Sequence, residues 1–94
     1  MADRTTASLT ILDRLIPMIE ALPDGVHREQ ILEEAQALRR AVAAFHMEAI
    51  RFRMFAVDRL LRIEGDQGPI RGLFDDLRHA LEEAGFHTRS HTAP

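Results

Sequence analysis

Hydrophobic residues recur every three or four positions along most of the chain, and this spacing predicts an all-α protein. The periodic segments cover about residues 6–22, 26–63 and 70–84. Two turn signals separate them, Leu-Pro-Asp-Gly at 22–25 and Gly-Asp-Gln-Gly-Pro at 65–69. The sequence therefore predicts three helices, with one long central helix flanked by two short antiparallel helices.

The ends of the short helices carry recognisable signals. Pro17 lies inside the first helix and predicts a bend there, because proline has no N–H to donate. Gly85 should stop the third helix, with Phe86 folding back onto Leu81 in a Schellman-type closure. We expect residues 1–86 to form a single helical domain and residues 87–94, which lack apolar periodicity, to be a disordered tail.

The central segment contains neither proline nor glycine between residues 26 and 63, so nothing in its composition interrupts a helix. At 1.5 Å per residue such a helix is about 57 Å long. It carries two apolar stripes. The first is expected to pack against the protein's own short helices and comprises Leu38, Val42, Phe45, Ala49, Phe52, Ala56 and Ile63.

The second stripe lies about 120° away on the helix and is predicted to be an interface, because two short helices cannot cover both stripes. The stripe includes five predicted interface residues, Met47, Ile50, Met54, Val57 and Leu61. Packing of two long helices through this surface predicts a dimeric, coiled-coil-like helical bundle. The alternative is a monomer whose helices fold back so that both stripes are buried. The expected partners are therefore a second copy of the chain and another protein.

Composition narrows the functional classes. The chain has 94 residues, no cysteine and a net charge of −3, and all 12 of its basic residues are arginine. The absence of cysteine excludes disulfides, thiolate catalysis and cysteine-ligated metal centres. The negative net charge makes a nucleic-acid partner an unfavoured prediction. No apolar run is long enough for a membrane helix and no secretory signal is visible, so we expect a cytoplasmic protein without a membrane partner.

His46 is the most interesting titratable residue. Together with Arg39 and Arg53 it forms a seam of seven-residue spacing between the two stripes. Four-helix phosphotransfer domains also place a reactive histidine on a long helix, so a histidine phosphotransfer protein using His46 is the alternative function. A histidine that forms hydrogen bonds within a helix interface is the structural alternative.

Other candidate chemistry has less support in the sequence. Asp76 and His79 have the i, i+3 spacing of helical metal sites, but they fall on the polar side of the third helix. The two serines, Ser8 and Ser90, lie near the termini, and no glycine-rich phosphate loop is present. We therefore expect a non-enzymatic protein–protein interaction module (an adaptor, regulator or inhibitor) with no catalytic residue, cofactor or metal. A metal-binding helical bundle is a further alternative.

Overall fold

The computed structural model describes residues 4–23, 25, 27–65 and 68–86 and shows four α-helices in them. The described segments contain no strand, which confirms the all-α class. The prediction of three helices is wrong, because the segment expected to be one long helix contains two. The helices are α1 (Thr6–Glu20), α2 (Arg28–Ala43), α3 (Met47–Glu64) and α4 (Pro69–Glu83).

A tight turn separates α2 from α3. Phe45 has a φ angle of 58°, in the left-handed region. Its N–H donates to the carbonyl of Val42 (3.1 Å), and the N–H of His46 donates to the carbonyl of Ala41 (3.0 Å). These are the two hydrogen bonds of a Schellman motif, with phenylalanine at the position that glycine usually occupies. The sequence does not predict this turn, because its left-handed residue is not a glycine.

After this turn, α3 runs back along α2, and the two helices pack together. The start of α2 is joined to the end of α3 by a hydrogen bond of 2.8 Å between Nδ1 of His27 and Oε2 of Glu64. α1 packs against α2 and α4. α3 and α4 are joined by an ion pair of 2.8 Å from Arg71 to Asp58. The result is a four-helix arrangement around one hydrophobic core.

The remaining helix ends follow the sequence signals. α1 is one helix that includes Pro17, and α4 begins at Pro69, the first helical position after Gly68. At the end of α4, Gly85 has a φ angle of 99° and the N–H of Phe86 donates to the carbonyl of Leu81 (2.9 Å). The predicted Schellman closure is thus confirmed. The predicted tail at 87–94 lies outside the described residues.

Candidate functional site

The stripe predicted to be an interface lies inside the protein. Ile50, Met54, Val57 and Leu61 are fully or almost fully buried, and Met47 is partly buried against the same core. The cause is the turn at Phe45, which folds α2 back along α3 within one chain. In this structure the stripe is therefore covered by the protein's own helices.

The turn also places the three residues of the predicted seam on different elements. Arg39 lies on α2, and its Nε donates to Oδ1 of Asp13 on α1 at 2.7 Å. Arg53 lies on α3, and its Nη1 donates to Oε1 of Glu34 on α2 at 2.8 Å. The hydrogen bond from Arg39, together with the attraction of its charge, holds the pKa of Asp13 below its ordinary value. Both arginines therefore join helices within the chain.

His46 caps α3 instead of lying on a helix face. It is exposed in the turn, and its Nδ1 accepts a hydrogen bond from the N–H of Ala49 at 3.3 Å. This bond satisfies one of the free N–H groups at the start of α3. Among the residues that the structure describes, the His46 side chain has no hydrogen bond to Glu48 or Arg53. The geometry gives His46 a structural role in the turn.

The candidate metal ligands do not form a site within the described segments. Asp76 and His79 are both exposed on α4. In the segments described, no group of three or more His, Asp, Glu or Cys side chains is placed to hold a metal ion. Of the two serines, Ser8 is buried in α1 and Ser90 lies beyond the described part of the chain.

An exposed apolar surface does exist, on the side of α3 that faces away from the core. Phe52, Phe55 and Ile63 are 60%, 50% and 53% exposed. With Glu48 and Arg59 they occupy an arc of about 80° on the helix, and we call these five residues the outer face of α3. α3 is therefore apolar on its buried side and on its outer face. Phe52 and Ile63 belong to the stripe predicted to pack inward. Leu38 and Val42 of the same stripe are buried as predicted, so the exchange of buried and exposed sides is confined to α3.

The flanks of α3 are closed by ion pairs, which leaves the outer face as the open side. On the α4 flank, Asp58 accepts a hydrogen bond from Arg71 at 2.8 Å and forms ion pairs with Arg62 at 3.0 Å and Arg78 at 3.7 Å. On the α2 flank, Arg53 pairs with Glu34 at 2.8 Å. The burial of Ile50, Met54 and Val57 sets the rotation of α3 about its axis, and these ion pairs lie on either side of that buried face.

An aromatic cluster lies at the end of the molecule near the start of α3. The ring of Phe45, 46% exposed, lies 6.1 Å from the ring of buried Phe86. The guanidinium of Arg4 stands 5.4 Å from the centroid of the Phe86 ring, and its Nε donates to the carbonyl of Ala84 at 3.0 Å. Similarly, the guanidinium of Arg53 lies 5.2 Å from the ring of Phe52 at the edge of the outer face. Arginine thus lines the exposed aromatic surface without covering it.

Comparisons with protein-family models, with curated protein sequences and with solved structures found no match. None of the helices described is both long and apolar enough to cross a membrane. A function is therefore inferred from the surface geometry.

Proposed function

We propose that the protein is a non-enzymatic helical interaction module (an adaptor, regulator or inhibitor) that binds a protein partner through the outer face of α3. The observation that carries this proposal is the exposure of three large apolar side chains, Phe52, Phe55 and Ile63, on one face of one helix. Large apolar side chains grouped on a surface commonly mark protein interfaces. Phenylalanine and arginine are both enriched at such interfaces.

The arrangement of the outer face favours a helical partner. Phe52 and Phe55 lie one turn apart at the centre of α3, and Glu48 and Arg59 stand on either side of them. An apolar centre with charged groups at its ends matches the hydrophobic core and polar rim of protein interfaces. An amphipathic helix with its own i, i+3, i+4 apolar stripe presents the complementary surface. A second copy of this chain is one such partner.

The proposal is tested by capturing partners from a lysate of the organism that encodes the protein. The baits are the wild-type chain, the variant Phe52→Ser/Phe55→Ser, and the control variant Glu33→Ser/Gln36→Ser on the exposed side of α2. We expect the wild type and the control to enrich the same proteins and the phenylalanine variant to enrich them at least about tenfold less, since buried aromatic anchors dominate interface energies.

Circular dichroism should show equal helix content in the three baits, because all four substituted side chains are exposed. If the phenylalanine variant, with its helix content intact, captures every partner that the wild type captures, the outer face is not the binding surface and the proposal fails.

A further inference from the structure

We infer that the outer face of α3 binds a second copy of the same chain in antiparallel orientation, so that Phe52 of each copy packs against Phe55 of the other. This inference rests on the proposed function and names the partner. It is carried by the order and spacing of four residues on the outer face, which read Glu48, Phe52, Phe55 and Arg59.

The four residues form a self-complementary pattern. Their spacings are four, three and four positions, so the pattern is symmetric about the point midway between Phe52 and Phe55. A two-fold axis through that point, perpendicular to α3, places Phe52 opposite Phe55 of the second copy and Glu48 opposite Arg59 of the second copy. Such an interface is isologous, with each surface patch meeting its own copy.

Charge selects the antiparallel orientation over the parallel one. In a parallel pair with the two helices in register, Glu48 would face a second Glu48 and Arg59 a second Arg59, and like charges in an interface oppose association. In the antiparallel pair the same residues form two Glu–Arg contacts, one at each end of the aromatic centre. The alternating spacings of four and three are those of the seam between two paired helices.

Within the described part of the chain, the rest of the fold leaves this surface accessible. Ion pairs with Glu34 and Arg71 hold α3 to its neighbours α2 and α4 on its two flanks, so the outer face points away from both. A second copy can therefore pack on α3 without displacing any helix of the first. Ile63 lies beyond Arg59 and extends the apolar surface towards the end of α3.

Sedimentation equilibrium of the purified protein with charge-reversal variants tests the inference. We expect the wild type to form a dimer with a dissociation constant of about 10 µM or lower. Glu48→Arg or Arg59→Glu alone should weaken the dimer about tenfold, because each change replaces two attractive contacts with two repulsive ones. The double variant Glu48→Arg/Arg59→Glu should recover most of the wild-type affinity, and Phe52→Ser/Phe55→Ser should be monomeric.

Glu33→Arg is the matched control, since it makes the same charge change at an exposed position of α2 and should leave the dimer unchanged. A wild-type protein that stays monomeric up to ~100 µM overturns the inference. The inference is equally wrong if the dimer persists in the phenylalanine variant, or if the double charge reversal fails to restore association.

Disulfide cross-linking tests the orientation directly, because the natural chain contains no cysteine. In the antiparallel dimer, position 59 of one copy lies about 17 Å along the helix axis from position 59 of the other, since 11 residues separate positions 48 and 59. That distance is far beyond the reach of a disulfide. The variant Arg59→Cys should therefore stay uncross-linked on oxidation, whereas Glu48→Cys/Arg59→Cys should give a covalent two-chain species. Cross-linking of Arg59→Cys alone would establish a parallel pair, and absence of cross-linking in Glu48→Cys/Arg59→Cys would show that the two positions do not meet; either result overturns the inference.

The two proposals fail in different ways. A monomeric wild type that captures another protein through Phe52 and Phe55 contradicts the antiparallel dimer but supports the interaction module. A wild type that dimerises as described supports the inference, and loss of dimers in the phenylalanine variant then identifies the same face as the binding surface. If no association depends on these two residues, both proposals are wrong.

Discussion

Arg39 and Asp13 illustrate how single residues join the helices of this fold. Nε and Nη2 of Arg39 donate to the two carboxylate oxygens of Asp13, at 2.7 and 3.4 Å. This two-point contact depends on the planar guanidinium, which lysine cannot reproduce. The contact joins α2 to α1 at the surface, where about half of each side chain remains exposed.

The lowered pKa of Asp13 gives this contact a definite pH dependence. The hydrogen bond from Arg39 is the main cause of the lowering, so the folded protein binds the Asp13 proton less tightly than the unfolded chain does. The stabilisation is therefore fully present above the unfolded pKa of ~3.9 and is lost as the pH falls through the lower pKa of the folded state. We expect urea unfolding to show the wild type as more stable than Asp13→Asn near neutral pH, with the difference shrinking towards zero in acid.

Asp76→Asn is the control for this measurement, because Asp76 is an exposed carboxylate on α4. It should match the wild type throughout the pH range. Added salt should reduce the effect of Asp13→Asn at neutral pH, since the pair is exposed and its attraction is screened. A difference between wild type and Asp13→Asn that persists unchanged at low pH would show that the contact does not depend on the carboxylate charge.

At the level of helices, the sequence predicts the helix ends that glycine or proline marks. It does not predict the end of α2, which neither residue marks. Pro69 and Gly85 define the limits of α4 to within one residue, and its apolar face follows from spacing alone. The turn at Phe45 cannot be recognised in the sequence, because the helical pattern continues through it and its left-handed position holds phenylalanine instead of glycine. Tertiary packing of α3 on α2 offsets the local cost of that conformation.

This backbone conformation predicts an unusual order of stability for two substitutions at one site. Phe45→Ala and Phe45→Gly both remove the ring that contacts Phe86, so they differ mainly in the backbone. Alanine must adopt a positive φ angle, which costs an L-residue about 1 kcal/mol more than glycine. We therefore expect Phe45→Gly to exceed Phe45→Ala in free energy of unfolding by about 1 kcal/mol, as measured by urea denaturation.

The control is the same pair of substitutions at Gln36, an exposed position inside α2. There alanine should be the more stable by about 1 kcal/mol, because glycine is disfavoured in helix interiors. If alanine is also the more stable residue at position 45, then α2 continues through position 45, as the sequence alone predicts, and the turn does not form.

The turn that the sequence does not predict determines where the residues of the predicted site lie. Both apolar stripes of the central segment are visible in the sequence, but the roles predicted for them assume a straight helix. Once the chain reverses at Phe45, the stripe that contains Met54 faces the core, and Phe52 and Ile63 face solvent. Charge spacing such as Glu48–Arg59 is also visible in the sequence, but its meaning depends on knowing which face of α3 is exposed.

For the molecule as a whole, the contacts between α2 and α3 can form in two ways. In the hairpin, the two helices of one chain are joined by the turn at Phe45; in the alternative, residues 26–63 form one long helix that pairs with another chain. The described residues have a radius of gyration of 12.6 Å and a longest dimension of 39 Å, whereas a continuous helix over residues 26–63 is about 57 Å long. If the turn straightened, α3 of one chain could pack on α2 of another with every core contact kept. Such domain swapping costs little beyond the change in the turn itself.

The variant Phe45→Ala/His46→Ala should favour this swapped form. It removes the contact of Phe45 with Phe86 and the cap that His46 provides to Ala49, and it places two strong helix formers in the turn. Together these changes favour the straight helix by about 2 kcal/mol per chain, or roughly 1000-fold in the equilibrium between two hairpin monomers and one swapped dimer.

The measurement uses Phe52→Ser/Phe55→Ser as the background, so that any dimer arises from the turn and not from the outer face of α3. We expect small-angle X-ray scattering to show one compact chain for the background variant. With the two alanines added, it should show a two-chain particle longer than about 57 Å, because the straightened helix alone has that length. The opposite result is a variant that loses stability and remains a compact single chain. That result would mean that the chain reverses between α2 and α3 because the two helices pack together, and not because of the side chains at positions 45 and 46.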